Sequence, residues 1–378
     1  MICKQAPVAA KYLIAAIIFL VPILVINIKH AVGTGFILLV LASMFIAVIP
    51  GDRQALMREE KLLFFAVSVF FLSTLVVTLG DSWNYGGVKK LGKFLPFVLV
   101  IPVYLLLRKL GLSLLALWCG LAMGAIVTGG AAIVEVMSGS YPANGPINPI
   151  LFGTISLVIG FMVLAGYGFF KAQGRWWVLV PITAFISGMT ASFLSGSRGG
   201  WIAIPVMLII LVWVHFSSVA VWKRWLIIIG VITICATSYS LPFTGVANRI
   251  DQALSELANY AGSEVTDQAR ATSVGVRFEM WQGAWQIFTE HPIAGVGWGN
   301  YQAAIEQQVS QGLRHPRAAT FAHPHSQYLS VLANGGLIGG LGMLLLFLIL
   351  LKLFIDARRE GSESIRQLSM AGILLVVG

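Results

Sequence analysis

Charge is scarce in this chain: Asp, Glu, Lys and Arg together make up 11% of its 378 residues, and fifteen are acidic. A soluble globule of this size carries about 25% charged residues, so a water-soluble fold is excluded. Cysteine is scarcer still. Cys3, Cys119 and Cys235 fall in the amino-terminal tail or inside apolar runs, which excludes a disulfide framework and a cysteine-held metal. No P-loop, dinucleotide glycine fingerprint or HExxH occurs, and Asp52, Asp81, Asp251, Asp267 and Asp356 stand singly rather than as a DxD pair. A metal-held nucleotide-sugar therefore finds no support. The formal net charge of +10 does not point to nucleic acid, because its basic residues are dispersed between apolar runs rather than massed on one face.

What is present in excess is apolar surface: 58% of residues are hydrophobic and the mean hydropathy is +0.87. The pattern predicts an all-α, polytopic transmembrane helical bundle. Apolar runs long enough to cross about 30 Å of hydrocarbon fall near 12–28, 32–50, 62–80, 94–107, 112–137, 149–170, 176–194, 201–216, 225–240 and 326–354. These are ten complete spans, and a run from Leu368 that stops at Gly378 is expected to be part of an eleventh. The first run is too long, and too poorly followed by small residues, for a removable signal peptide. The expected division is 1–240 membrane helices, 241–322 a mostly helical periplasmic cap, and 323–378 the carboxy-terminal membrane helices.

Orientation follows from the basic residues. With the amino terminus (Lys4, Lys11) in the cytoplasm, fifteen Lys and Arg lie inside and ten outside, five of those ten in the long 241–322 loop. Long loops translocate whatever their charge, so the usable comparison is fifteen against five, as the positive-inside rule expects.

Three places on the expected outer side carry chemistry. Arg198 stands in SGSRGGW, a short glycine-rich turn between two spans, where successive amides form an anion nest or where a tight turn simply carries a solvated Arg. Arg277 stands in GVRFEMWQGAW, where helical spacing over Val276 to Glu290 puts Trp281, Ala284, Trp285 and Phe288 on one face and Glu279, Gln282, Gln286 and Glu290 on the other. Arg277 falls one turn before Trp281 on the apolar face, a costly position unless an anion meets it or its guanidinium snorkels to headgroups. His325 stands in HPHSQYLSVLANGGLIGG, at the start of the last long helix, where the positive dipole end keeps an imidazole neutral. His315 and His323 compete for its role. Behind it, Gly335, Gly336, Gly339 and Gly340 give small-xxx-small spacing suited to close helix packing. Lys89, Lys90 and Lys93, in the loop before the fourth span, add charge for a diphosphate or anchor to headgroups.

In joint order, an Arg in a short outer loop, Arg277 followed by Trp281 and HPIAGVGWGNY, then HSQYLSVLANGGLIGG resembles the O-antigen ligase and polymerase superfamily, over Arg198 to Gly340. The resemblance implies a multi-pass inner-membrane glycosyltransferase that moves a glycan from undecaprenyl diphosphate to an acceptor on the periplasmic face. For ligases the acceptor is the lipid A core of lipopolysaccharide. It implies that Arg277 and Arg198 hold the diphosphate and that His325 serves the acceptor hydroxyl. No metal or other cofactor is expected, and no nucleic acid; membrane lipids are the remaining partners. Polymerases of the superfamily commonly carry their two arginines in sizeable loops, so the short turn at Arg198 favours a ligase. An O-antigen polymerase, a protein O-oligosaccharyltransferase and, in a different class, a lipid-linked glycan flippase are the alternatives.

Overall fold

The computed structural model describes residues 8–28, 31–47, 55–81, 85–217, 219–241, 245–262 and 265–378; the side chains of 31–33, 45–47, Asp81 and Arg198 lie outside the described set. Cys3, Lys4, Asp52 and Arg53 also lie outside the described residues. Helices account for nearly all regular structure, and among the described residues there is no strand. The first five helices are α1 (Val8–Asn27), α2 (Ala31–Ala47), α3 (Arg58–Asp81), α4 (Tyr85–Leu110) and α5 (Leu114–Met137). Next come α6 (Pro149–Ala165), α7 (Tyr167–Gln173), α8 (Leu179–Leu194), α9 (Arg198–Trp201), α10 (Ala203–Ile209) and α11 (Val221–Ser240). The segment 241–322 carries α12 (Val246–Tyr260), α13 (Asp267–Arg270), α14 (Ser273–Glu290), α15 (Tyr301–Ser310) and a 3-10 turn, Pro316–Thr320. Two more, α16 (Gln327–Glu360) and α17 (Glu363–Val377), complete the order.

Each expected span has its helix, so the chain is a polytopic membrane bundle with a mostly helical long segment between α11 and α16. Among the described residues, seven helical stretches are long and apolar enough to cross a membrane, and the bent pair α6 and α7 makes an eighth if it is one span. The expected spans at 32–50 and 201–216 correspond to α2 and to the apolar helical stretch Gly199–His215, which are not among those seven. In the second, the helix breaks at Ile202, just before Pro205, which supplies no N–H to the ladder, and α10 passes into a π-helical turn at Ile210–His215.

The chain divides into two compact units. The first comprises 1–54, 102–249 and 351–378. Its core gathers around Trp118, Phe152, Phe161 and Phe170, all less than 2% exposed. Glycines permit the packing. A Cβ on Gly120 or Gly124 of α5 would stand 2.5 or 2.7 Å from the α1 carbonyls of Phe19 and Pro22, and one on Gly188 of α8 would stand 2.5 Å from the Ser156 carbonyl of α6. Apolar side chains gain little from leaving lipid for another helix, so close backbone approach and interhelical hydrogen bonds carry such association. The Asn27 amide supplies one, donating to Thr128 Oγ1 at 3.0 Å.

The second unit comprises 55–101 and 250–350. One of its cores joins Phe70 of α3, Trp298 and Val331, and Phe94 meets the Trp298 ring edge-on at 4.7 Å between centroids. The other joins Val276, Met280, Ala284 and Ile287 of α14 to Tyr301 and Ile305 of α15.

Candidate functional site

Helix α14 frames the site in the second unit. Thr272 caps it by accepting from the Gly275 N–H at 3.0 Å, and the Glu256 carboxylate of α12 accepts from the Val274 N–H at 2.8 Å. A carboxylate suits the positive end of a helix dipole. The buried row of α14 runs through Val276, Met280, Ala284 and Ile287 and includes Glu279, which is 1% exposed. That corrects the face inferred from spacing: Glu279 points inward, while Trp285 is 53% exposed. The cause is polar and nonlocal. The Glu279 carboxylate accepts from the Tyr260 hydroxyl and the His315 amide, each at 3.0 Å, and pairs with Arg270 Nε at 3.6 Å. With its acceptor sites satisfied, a buried charge is tolerable.

By fixing the His315 backbone, Glu279 sets the start of the 3-10 turn that leads to the HPH motif. The His315 ring is committed as well, since its Nδ1 accepts from the Arg317 N–H at 3.1 Å. Further on, the Trp281 indole donates to the Pro324 carbonyl at 2.9 Å and ties the motif to α14. His323 Nδ1 accepts from the His325 N–H at 3.2 Å, closing a tight turn in which His325 adopts φ 51°. Left-handed backbone is uncommon for a residue with a Cβ. His325 is the one imidazole of the three whose ring makes no hydrogen bond among the described residues. Its ring lies edge-on to Phe321 at 5.2 Å and to His323 at 4.4 Å between centroids, with one side open to solvent.

The field in this place is positive. Partial burial, then His323, then the Arg277 guanidinium push the His325 imidazole down to about 4. Burial, then Lys90 and Lys93, also lower His323. The sequence-based expectation of a neutral imidazole rested on the helix dipole, whereas the causes that lower His325 here are burial and neighbouring charge. Arg277 is half-buried and forms neither a hydrogen bond nor an ion pair with any described residue. Lys89, Lys90 and Lys93 do not sit in a loop, because α4 starts at Tyr85 and carries them in its first turns. Lys89 lies 5.8 Å over the Tyr85 ring, leaving Lys90 and Lys93 to act on His323. Like charges gathered in one place repel one another, and an anion would relieve both the lysines and Arg277.

The glycine ladder behind the motif has a different partner from the one its spacing suggested. Gly336 adopts φ 54° and ψ −150° and breaks α16. The loop HPIAGVG occupies the break: Leu337 N–H donates to Pro292 O at 2.8 Å, Ile338 N–H to Ile293 O at 3.1 Å, and Val296 N–H to Ala333 O at 2.9 Å. A Cβ on Gly336 would stand 2.4 Å from the Ile293 carbonyl, and one on Gly295 2.5 Å from the Ala333 carbonyl. Gly335 and Gly339 meet the Trp298 ring, and Gly340 meets the Leu332 side chain. Their role is architectural, with a loop rather than a second helix as the main partner.

In the first unit, Arg198 is the first residue of α9 rather than part of the turn, and its side chain lies outside the described set. The turn itself is Ser195–Gly196, with Gly196 at φ 62°. It is buttressed by the loop after α5, where Ala143 N–H donates to Leu194 O at 2.9 Å and the Glu135 carboxylate accepts from the Asn144 and Gly145 amides at 3.0 and 3.1 Å. Arg249, 5.9 Å over the Tyr141 ring, is a second cation in this neighbourhood that the sequence did not single out. Among the described residues, no group of three or more His, Cys, Asp or Glu comes together to hold a metal ion.

The helices define a multi-pass membrane protein that carries a histidine turn with cations around it. Residues 182–344 match the model of the O-antigen ligase family. The matched stretch contains Arg198, Arg277 and His325, and the match supports a function of the O-antigen ligase or polymerase type, of the glycosyltransferase class. The chain is also 26% identical over 324 residues to an uncharacterized protein of Haemophilus influenzae, a match covering 85% of this chain and 79% of that protein.

Proposed function

We propose that this protein is an inner-membrane O-antigen ligase that transfers a glycan from undecaprenyl diphosphate to the lipid A core, with its site on the periplasmic side. Arg277 and Arg198 hold the donor diphosphate, Lys90 and Lys93 add to the positive field, and Lys89 extends it at the surface. His325 is the general base. It takes the proton of the acceptor hydroxyl as that oxygen attacks the anomeric carbon; the bond to the diphosphate oxygen breaks, and the lipid diphosphate leaves with the electron pair. The guanidiniums stabilise the charge growing on the leaving group, so no metal is needed, and a single displacement inverts the anomeric centre. Arg suits this task because its planar fork makes bidentate contacts to phosphate at any working pH.

The observation that carries this reading is the unbonded His325 imidazole beside an Arg277 that pairs with no described carboxylate. Single-turnover transfer by purified protein, with lipid-linked glycan and lipid A core, tests it. His325→Ala is expected to slow transfer by about 10²–10⁴-fold while donor binding, measured separately, is kept. His323→Ala and His315→Ala are expected to be much milder. Full transfer by a folded His325→Ala variant removes the base assignment.

A further inference from the structure

A cleft of about 560 Å³ lies on the outward side of α14, with Trp281, Gln282, Trp285, Gln286, Thr289 and Arg314 in its wall. Two indoles one helical turn apart and Leu329 form the apolar part, which predominates, and amides, a hydroxyl and a guanidinium form the rest. Trp281 is immobilised through its bond to the Pro324 carbonyl, whereas Trp285 keeps 53% of its surface exposed. The polar groups are fixed too. Gln286 Oε1 accepts from Arg314 Nη2 at 3.0 Å, its Nε2 donates to Glu290 at 2.9 Å, and Arg314 Nη1 donates to Leu313 O at 3.0 Å. Each terminal guanidinium nitrogen has a second N–H that these bonds leave over. Rigid aromatic faces beside preset donors and acceptors match a sugar ring, which offers apolar C–H faces and a rim of hydroxyls.

We infer that this cleft is a glycan-binding subsite, taking a sugar residue of the donor chain or of the acceptor core away from the reacting centre. The inference rests on the proposed transferase reading for its choice of ligand. Trp281 links the two places physically, since the indole in the cleft wall is the group that holds the turn carrying His325. A sugar seated on Trp285 and Trp281 therefore stands one side chain from the candidate base.

The test is direct binding to the full-length protein in detergent or nanodiscs, followed by calorimetry and tryptophan fluorescence. One probe is the oligosaccharide released by mild acid from the lipid-linked donor; the other is core oligosaccharide freed of lipid A. Trp285→Ala is expected to weaken binding of one of them about tenfold, the scale of a lost aromatic stacking contact, with Trp285→Phe recovering part of it. The probe affected identifies the source of the sugar. A fully active His325→Ala variant would remove the base assignment while leaving the binding result for Trp285→Ala standing, so failure of the base assignment is distinguishable from failure of the subsite. Unchanged affinity for both oligosaccharides in folded Trp285→Ala and Arg314→Ala variants overturns the inference. So does Trp285 fluorescence that is quenched by brominated lipid but unaffected by either oligosaccharide, because that marks a membrane anchor.

Discussion

Arg277 and His325 illustrate how a side chain's role depends on what its neighbours have already taken. His315 and His323 have each spent Nδ1 on a backbone amide two residues on. His325 has not, and its depressed basicity means that the neutral form, the one able to accept a proton, persists down to about pH 4 in the free protein. The acid limb of kcat/KM, which reports the free enzyme, should therefore fall with a midpoint near 4 rather than near the ordinary 6.5. The limb of kcat should lie at higher pH, because a bound diphosphate offsets the positive charge that disfavours imidazolium. Coincident limbs at 6.5 would place another group in the role. Arg277→Lys keeps the charge but not the fork. It is expected to lose most transfer activity, and near-parental activity would make Arg277 a headgroup anchor. Both residues were legible in sequence as unusual, but the causes were not: the lysines that bias His323 lie far away in the chain, on α4.

At the scale of elements, the helices themselves were readable because long apolar runs have few other solutions in a bilayer. Where helices begin and which face they bury was less readable. Helix α4 runs back through Lys89, Lys90 and Lys93, which can lie along a helix end with their stems on apolar surface and their heads in water. Helix α14 buries Glu279 instead of its tryptophans because Tyr260, Arg270 and His315, all distant in sequence, complete the carboxylate. No periodicity within α14 encodes that. The break in α16 was equally hidden, since Gly336 looks like one more small residue until the HPIAGVG backbone is seen against it. Gly336→Ala adds a Cβ 2.4 Å from the Ile293 carbonyl at a backbone angle that L-residues avoid. It is expected to cost on the order of 3 kcal/mol, visible as a lowered thermal midpoint in detergent. An unchanged midpoint would mean that α16 straightens at no cost.

For the whole molecule, the asymmetry of Lys and Arg is the argument for sidedness, and it makes a prediction independent of any catalytic assignment. Reporter fusions in the connection at 171–175 are expected to report the cytoplasm, and fusions within 265–272 the outer side. Outer-side activity at 171–175 would reverse the orientation and detach the proposed site from the periplasm. The broken helix α16 bears on how such a chain is made. Its backbone groups at Ala333, Leu337 and Ile338 need the partners that Pro292, Ile293 and Val296 provide, and an unpaired amide in hydrocarbon costs several kcal/mol. Translation delivers 291–296 before Gly336, so the loop exists as a template when the last long helix emerges from the ribosome. On the proposed topology that segment is already outside the bilayer when the helix enters it, and bending of the helix onto it would then be a late step in biogenesis rather than a property of the helix alone.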